Sequence, residues 1–313
     1  LGALGLTGQE RRLLRDIRDR GDLVILNLHK VTENTNPYWP GLRPELFDYL
    51  VRFLKERFRI VGFRELDDID PGEPCVILSF DDGYYNFLDH AVPILDKHGV
   101  TANLNIVPSC VESGLPMWNV RLYDFLRAAP PELVNNSLPE GFPARLEAED
   151  RQSKIRFGLE ISRFLKNRPR KEREELIAPI EEAMGGFEFP VTRMLNVEEV
   201  RSIASKVEIG VHSYSHESMA FEDEAFFQED FYKCAGFFAH KLALPLDIYA
   251  FPNGSYRDSQ VTFLLDNGIK FPLLVGEDFA SRTEPALWRF TIYGSSEREL
   301  RFQALGHNRS VRL

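Results

Sequence analysis

Cysteine is scarce in this chain. Cys75, Cys110 and Cys234 are its only three, and they stand far apart. An odd, sparse set gives neither a disulfide framework nor zinc-finger spacing. Cys75 and Cys110 lie in or beside apolar runs and read as small core residues. Few thiols lean weakly toward a reducing compartment, which slightly favours the cytoplasm. The chain opens at Leu1 rather than Met, which leaves room for a trimmed signal or anchor, and so for export or the cell envelope. Long apolar runs are also missing, so no stretch reads as a transmembrane segment. Positive charge is in deficit, with 38 basic against 48 acidic residues and a formal net charge of −10. That balance argues against a nucleic-acid surface and against an anionic membrane surface. Internal repeats and low-complexity tracts are absent too.

What remains is the composition of a soluble globular protein, 43% hydrophobic and 27% charged. Its 313 residues suffice for one large domain or two medium ones. Residues 1–22 end in an Arg-rich stretch and predict a polar helix from about Gln9 to Arg20. Leu23 to His29 reads as a first buried strand. Pro44 opens a helix with Leu46, Phe47, Leu50, Val51 and Leu54 at helical spacing. Arg59 to Phe63 and Cys75 to Leu78 are further strands, a helix spans about 86–97, and Val100 to Val107 is a strand. Residues 114–190 hold few strand signals and two charged amphipathic segments. They read as a helical insertion that either caps the site or packs outside the barrel, with outside packing slightly favoured. Alternation resumes at Asn196, which has Glu199 three residues on, a helix-start signature. Strands follow over Val207–Val211, Asp247–Phe251, Phe271–Val275 and Trp288–Tyr293, with helices near 223–241 and 258–267. About seven or eight strands alternating with helices predict an α/β fold, a distorted (β/α) barrel occupying 23–313.

Two short motifs carry the chemistry. Ser79-Phe80-Asp81-Asp82-Gly83 follows one buried strand, and His212-Ser213-Tyr214-Ser215-His216 follows another. Asp82, His212 and His216 could offer a divalent metal one oxygen and two nitrogens, leaving positions open for water and substrate. Asp81 would then be free to act as a base. Each motif alone also reads as a polar surface turn. Tyr84-Tyr85-Asn86 after the aspartates leads into a helix rather than a hairpin, which opposes that reading. A helical turn would bring His212 and His216 onto one face. His29 and the Pro252-Asn253-Gly254 turn also fall at strand ends, where barrel chemistry sits.

Together these motifs resemble the polysaccharide deacetylase family, also described as the NodB-homology or carbohydrate esterase family 4 fold. Ser79 to Gly83 matches its Thr/Ser-Phe-Asp-Asp-Gly motif, and His212 to His216 matches its His-Ser/Thr-x-x-His motif. The likeness covers roughly residues 23–295. It implies that Asp82, His212 and His216 bind the metal and that Asp81 is the general base. Zinc suits two imidazoles and a carboxylate, though nickel, cobalt and manganese accept similar ligands. The family's Arg-x-Pro-Tyr motif stands here as Tyr249 to Gly254 without its arginine. In that respect the chain resembles the exopolysaccharide N-acetylglucosamine deacetylase branch. The Asn253 N–H would then help hold the oxyanion, with Pro252 and Tyr84 beside it at the oxyanion or substrate position. Arg289 either orients Asp81 or makes a surface salt bridge. For a general acid, Leu28-His29-Lys30-Val31 resembles that branch's Tyr-His-x-Val, and the resemblance implies that His29 protonates the leaving amine. Leu305-Gly306-His307 is the only counterpart of the family's Leu-x-His motif.

The implied activity is metal-dependent removal of N-acetyl groups from a sugar or polysaccharide, with release of acetate. An O-acetyl carbohydrate esterase is the alternative, and a catalytically inactive carbohydrate-binding protein is a weaker one. Trp39, Tyr84, Tyr85, Trp118 and Tyr256 are candidates to stack on sugar rings. The acidic net charge fits a neutral or basic glycan better than an acidic one.

Overall fold

Seven parallel strands close into a barrel in this computed structural model, which describes residues 7–33, 37–38, 40–70, 72–140, 142 and 144–307. Helix α1 (Gly8–Arg20) starts on a Thr7–Glu10 capping box and stops at Gly21 in the left-handed region. Strand β1 (Val24–Leu28) is buried throughout. Helix α2 (Pro44–Lys55) turns its apolar face onto the barrel. Strand β2 (Arg59–Ile60) is shorter than the sequence suggests, because Phe63–Asp68 tighten into a 3-10 turn. Strand β3 (Cys75–Asp82) is buried at all eight positions. Helix α3 (Val92–His98) carries Pro93 in its first turn, and the turn ahead of it, Phe87–Ala91, is widened. The widening makes room where the proline ring would strike a carbonyl four residues back.

Strand β4 (Asn103–Ile106) leads into the helical segment, made of α4 (Pro108–Ser113), α5 (Trp118–Ala128), α6 (Pro131–Asn136), α7 (Arg151–Lys166) and α8 (Arg170–Gly185). Helix α9 (Val197–Ile203) begins on the Asn196–Glu199 capping box expected there. Then come β5 (Glu208–Val211), α10 (Glu224–Phe237), β6 (Ile248–Ala250), α11 (Asp258–Asp266), β7 (Phe271–Gly276), β8 (Leu287–Thr291) and α12 (Glu297–Ala304). The strands run in the order β1-β8-β7-β6-β5-β4-β3, and β1 pairs with β3 to close the ring. Strand β2 adds to β3 as an eighth strand outside it. This is the (β/α) barrel anticipated from the strand–helix alternation.

Side chains along each strand alternate between the helices outside and the barrel interior. Ile25, Ile77, Ile248, Leu273 and Leu287 fill the lower interior. Each such fully buried side chain stabilises the fold by roughly 1.5–3 kcal/mol. Above that apolar layer lie Asn27, Ser79, Asn103, Asn105 and Arg289, all buried and all polar. The register sets Asp81 beside Asn105 and Asn105 beside Gly210. A Cβ on Gly210 would strike the Asn105 carboxamide and come within 2.9 Å of Ile248. The missing side chain is what lets Asn105 occupy the interior.

The helical segment has a core of its own, with Tyr38, Leu126, Phe157, Ile161, Leu165, Ile177 and Ile180 in it. It packs over the mouth of the barrel and lines the cleft there, not outside the barrel as slightly favoured from sequence. All three cysteines are buried and unpaired. Among the described residues no helix is long and apolar enough to cross a membrane.

Candidate active site

The two adjacent aspartates end β3. In a regular strand their side chains would point to opposite faces. Asp82 instead takes φ +78°, and Gly83 follows at φ +80°. A left-handed aspartate is uncommon and mildly strained, and it swings the second carboxylate round toward the barrel mouth.

The histidines converge by a different route from the one expected. No helical turn links them. The segment after β5 is an irregular loop in which Ser213 and His216 both lie in the left-handed region, at φ +53° and +59°. Asp230 on α10 holds that loop. It accepts the Tyr214 N–H at 2.8 Å, the Ser215 N–H at 3.2 Å and the Ser215 hydroxyl at 2.8 Å. Burial pushes the Asp230 carboxyl up to about 6, against the pull of these donors. The Glu217 N–H is donated to Ser213 Oγ at 3.3 Å, and the Glu217 carboxylate is clamped by Arg173 of α8.

The result is a buried cluster of Asp82, His212 and His216, whose three ligand atoms all lie within 4.8 Å of one another. Asp82 Oδ1 is 3.6 Å from His212 Nε2 and 3.5 Å from His216 Nε2. That is too long for hydrogen bonds and close to the edge of a tetrahedron around an ion bound at about 2.1 Å. Asp82 Oδ1 is buried without a hydrogen-bond partner. His212 Nδ1 lies 2.9 Å from the Ala250 carbonyl. A carbonyl only accepts, so Nδ1 carries the hydrogen and Nε2 presents its lone pair to the cluster. Burial lowers the His212 imidazole to about 4, only partly offset by Asp81 and Asp82. Burial opposes ionisation of Asp82, yet the neighbouring imidazoles of His216, His29 and His212 hold its carboxyl far below the usual range. An orphaned carboxylate oxygen between two imidazole nitrogens fits a divalent cation.

Asp81 sits alongside. Arg289 donates from Nη1 to Oδ1 at 2.6 Å and from Nη2 to Oδ2 at 2.8 Å, and Asn105 Nδ2 donates to Oδ1 at 2.9 Å. Burial raises the Asp81 carboxyl, but the Arg289 charge, His212 and these hydrogen bonds outweigh it and leave the group at about 2. Arg289 is fully buried, so the surface salt bridge considered from sequence is excluded. It also donates to Ser79 Oγ and the Leu274 carbonyl. Ser79, Asn103 and Asn105 continue the network beneath Asp81.

These groups open into a cleft of about 640 Å³. His29, just past β1, lines it, and burial holds the imidazole below its ordinary 6.5 while Asp82 and Asp81 pull the other way. Tyr84 lines it too, nearly fully buried beneath the Lys30 ammonium and against the Asp82 carboxylate. Asn253, at φ +57°, reaches the cleft and donates from Nδ2 to Ser218 Oγ at 3.1 Å. Pro252 is buried beneath that turn and does not line the cleft. His307 lies elsewhere, on the surface against Gln9 of α1. Trp118 lines a separate pocket, Tyr256 packs on Phe251 and Trp288, and Tyr85 lies under the Arg193 guanidinium. Trp39 is outside the described residues.

Sequence reasoning missed several lining residues. Asn27 has a buried Oδ1 without a partner among the described residues. Tyr123, Ser162, Arg163 and Lys166 reach the cleft from the helical segment, and Phe221 stands exposed in its wall. The polar–apolar alternation of Asn103-Leu104-Asn105-Ile106 signals the buried polar layer beneath Asp81 rather than these cleft residues.

Comparisons with known proteins bear on the barrel and on one stretch of the sequence. The sequence profile of the polysaccharide deacetylase family matches residues 180–272, a stretch that holds both histidines and Asn253 but not the aspartates. No curated protein matches in sequence. Among solved structures, the chain resembles the Streptococcus pyogenes deacetylase PplD in complex with acetate, with a TM-score of 0.56, 15% identity, and coverage of 89% of this chain and 95% of that one. It resembles IcaB from Ammonifex degensii with a TM-score of 0.57, 16% identity, and coverage of 91% and 97%. It also resembles a de-N-acetylase from Aggregatibacter actinomycetemcomitans, with a TM-score of 0.54, 15% identity, and coverage of 89% and 99%. The chain thus has in common with polysaccharide deacetylases a stretch of family sequence over residues 180–272 and the barrel of these solved structures.

Proposed function

We propose that this chain is a metal-dependent hydrolase that removes N-acetyl groups from a saccharide and releases acetate. The observation that carries the reading is the orphaned Asp82 Oδ1 facing two imidazole nitrogens, with Asp81 fixed beside it by Arg289 at the base of a cleft. Asp82, His212 and His216 would hold the metal, and their donor set suits zinc first, with nickel, cobalt or manganese as substitutes. A divalent ion there would polarise the acetyl carbonyl and acidify a water.

The chain's own residues supply the remaining steps. Asp81 takes a proton from the attacking water. Its low basicity suits a water that is already acidified, and Arg289 and Asn105 hold its carboxylate in one orientation. The Asn253 turn receives the developing oxyanion. The proton taken up at Asp81 is handed on to His29, which also lines the cleft, and His29 passes it to the departing amine. Tyr84 and Lys30 pack beside the cluster and keep it partly dry. The branch resembled through the Phe251-Pro252-Asn253-Gly254 stretch points to an exopolysaccharide built on N-acetylglucosamine.

The test is acetate release from N-acetylglucosamine oligomers by metal-free, zinc-loaded and Asp81→Asn protein. Release that needs zinc and is lost in the variant supports the reading. Release only from O-acetylated sugars makes the chain an esterase. Zinc binding with no release from either class would leave a carbohydrate-binding protein.

A further inference from the structure

The chain is acidic overall, yet its cleft is not. Among the described residues, the only carboxylates that line it are Asp81 and Asp82. Asp81 is matched by Arg289, and Asp82 belongs to the proposed metal site. Against them the last turn of α7 sets Arg163 and Lys166, one helical turn apart on the same face and both lining the cleft. Neither makes a hydrogen bond or ion pair with a described residue.

The neighbouring pocket, walled by α5, α8 and α10, is a useful contrast. Its cations Arg121, Arg170, Arg173 and Lys233 all have carboxylate partners within the chain, namely Glu181, Glu174, Glu217 and Glu229. Cations near a helix C-terminus are ordinarily explained by the helix dipole, which is served equally well from an exposed face. Lys166 does not take an exposed position. It is half-buried in the cleft, where burial disfavours its charge and Asp82 supports it. A divalent cation held by Asp82 would cancel that support. The cleft would then carry an excess of positive charge with no anion of its own to meet it.

We infer that Arg163 and Lys166 receive an anionic group, a carboxylate or a phosphate, on the saccharide substrate, so that the cleft selects an acidic glycan over a neutral one. The acetylated saccharide in this statement rests on the function proposed above; the anion rests on the cleft alone. It replaces the expectation, drawn from net charge, of a neutral or basic glycan. Phe221 and Leu159, both exposed in the cleft wall, would lie against sugar ring faces.

The test separates binding from turnover. Zinc-loaded protein carrying Asp81→Asn is titrated calorimetrically with three probes. These are an N-acetylglucosamine tetrasaccharide, a tetrasaccharide alternating N-acetylglucosamine with glucuronic acid, and N-acetylglucosamine 1-phosphate. Acetate release is followed in parallel with the unmutated chain. The expected result is that one acidic probe binds at least about tenfold more tightly than the neutral oligomer at low salt. The preference should shrink as salt rises and vanish in Lys166→Gln/Arg163→Gln. Lys171→Gln, a charge removed from an exposed site on α8, should keep it. Which acidic probe wins distinguishes carboxylate from phosphate. Equal binding of all probes, failure of both acidic ones to bind, or a preference that survives the double variant overturns the inference. An acidic preference with no acetate released from any probe sinks the deacetylase reading instead.

Discussion

Arg289 reaches from β8 to grip both oxygens of Asp81 at the end of β3, at 2.6 and 2.8 Å. The two residues are 208 positions apart in sequence and essentially inaccessible to solvent. A planar fork on a carboxylate fixes its orientation as well as its charge. Arg289→Lys keeps the charge and loses the second contact. Acetate release should fall by about 10–100-fold with zinc content unchanged. Arg289→Ala strands a buried carboxylate and should cost about 3–5 kcal/mol of stability, read from urea unfolding. Unaltered turnover in Arg289→Lys would remove the arginine from the catalytic account.

The same pair makes stability depend on acid. Asp81 titrates at about 2 in the fold against an ordinary 3.8. A depressed carboxyl stabilises the fold above its unfolded value, and that contribution is lost as pH falls from about 4 through about 2. The size is roughly 2 kcal/mol. Urea midpoints measured from pH 5 to pH 2 should therefore drop more steeply for the native chain than for Asp81→Asn. Parallel curves would show that the pair is not formed in solution.

Zinc should raise the unfolding temperature of the native chain. At a hundredfold excess over Kd the gain is about 2.7 kcal/mol. Asp82→Asn and His216→Ala should abolish the shift and lower bound zinc, measured by atomic absorption, well below one per chain. A full complement of zinc in both variants would move the site elsewhere.

Asp230 touches no substrate, yet it gathers three donors from the loop that carries His216. Asp230→Ala leaves those donors unmet and frees the loop. Zinc affinity, measured against a competing chelator, should fall by about 10–100-fold. Asp230→Asn keeps an acceptor and should recover part of that loss. Equal affinities across the three proteins would mean that the loop is held by something else.

The floor of the site was legible in the sequence because its chemistry restricts residue type. Adjacent aspartates and paired histidines after apolar strands have few uses, and a parallel barrel puts strand ends together. Other parts were hidden for physical reasons. His212 and His216 looked like neighbours on a helical turn, but two left-handed residues and a carboxylate on a distant helix bring them together instead. No local spacing encodes that contact. Asn103 and Asn105 sit where a half-solvated strand would place polar side chains, and only barrel closure puts them inside. Arg289 is visible in the sequence as a candidate partner of Asp81, yet its burial depends on Ser79 and Asp81 meeting it from another strand. The helical segment reads from sequence as either a cap or an outer packing element, because amphipathic spacing reveals that a face is covered without revealing what lies beyond it.

The helical segment keeps its own apolar core, centred on Leu126, Phe157 and Ile161, apart from the one that supports the barrel. Floor and roof of the cleft are therefore anchored independently. On the function proposed above, substitutions on the cleft-facing side of α7 would alter what is admitted while Asp81 and Arg289 below stay in register.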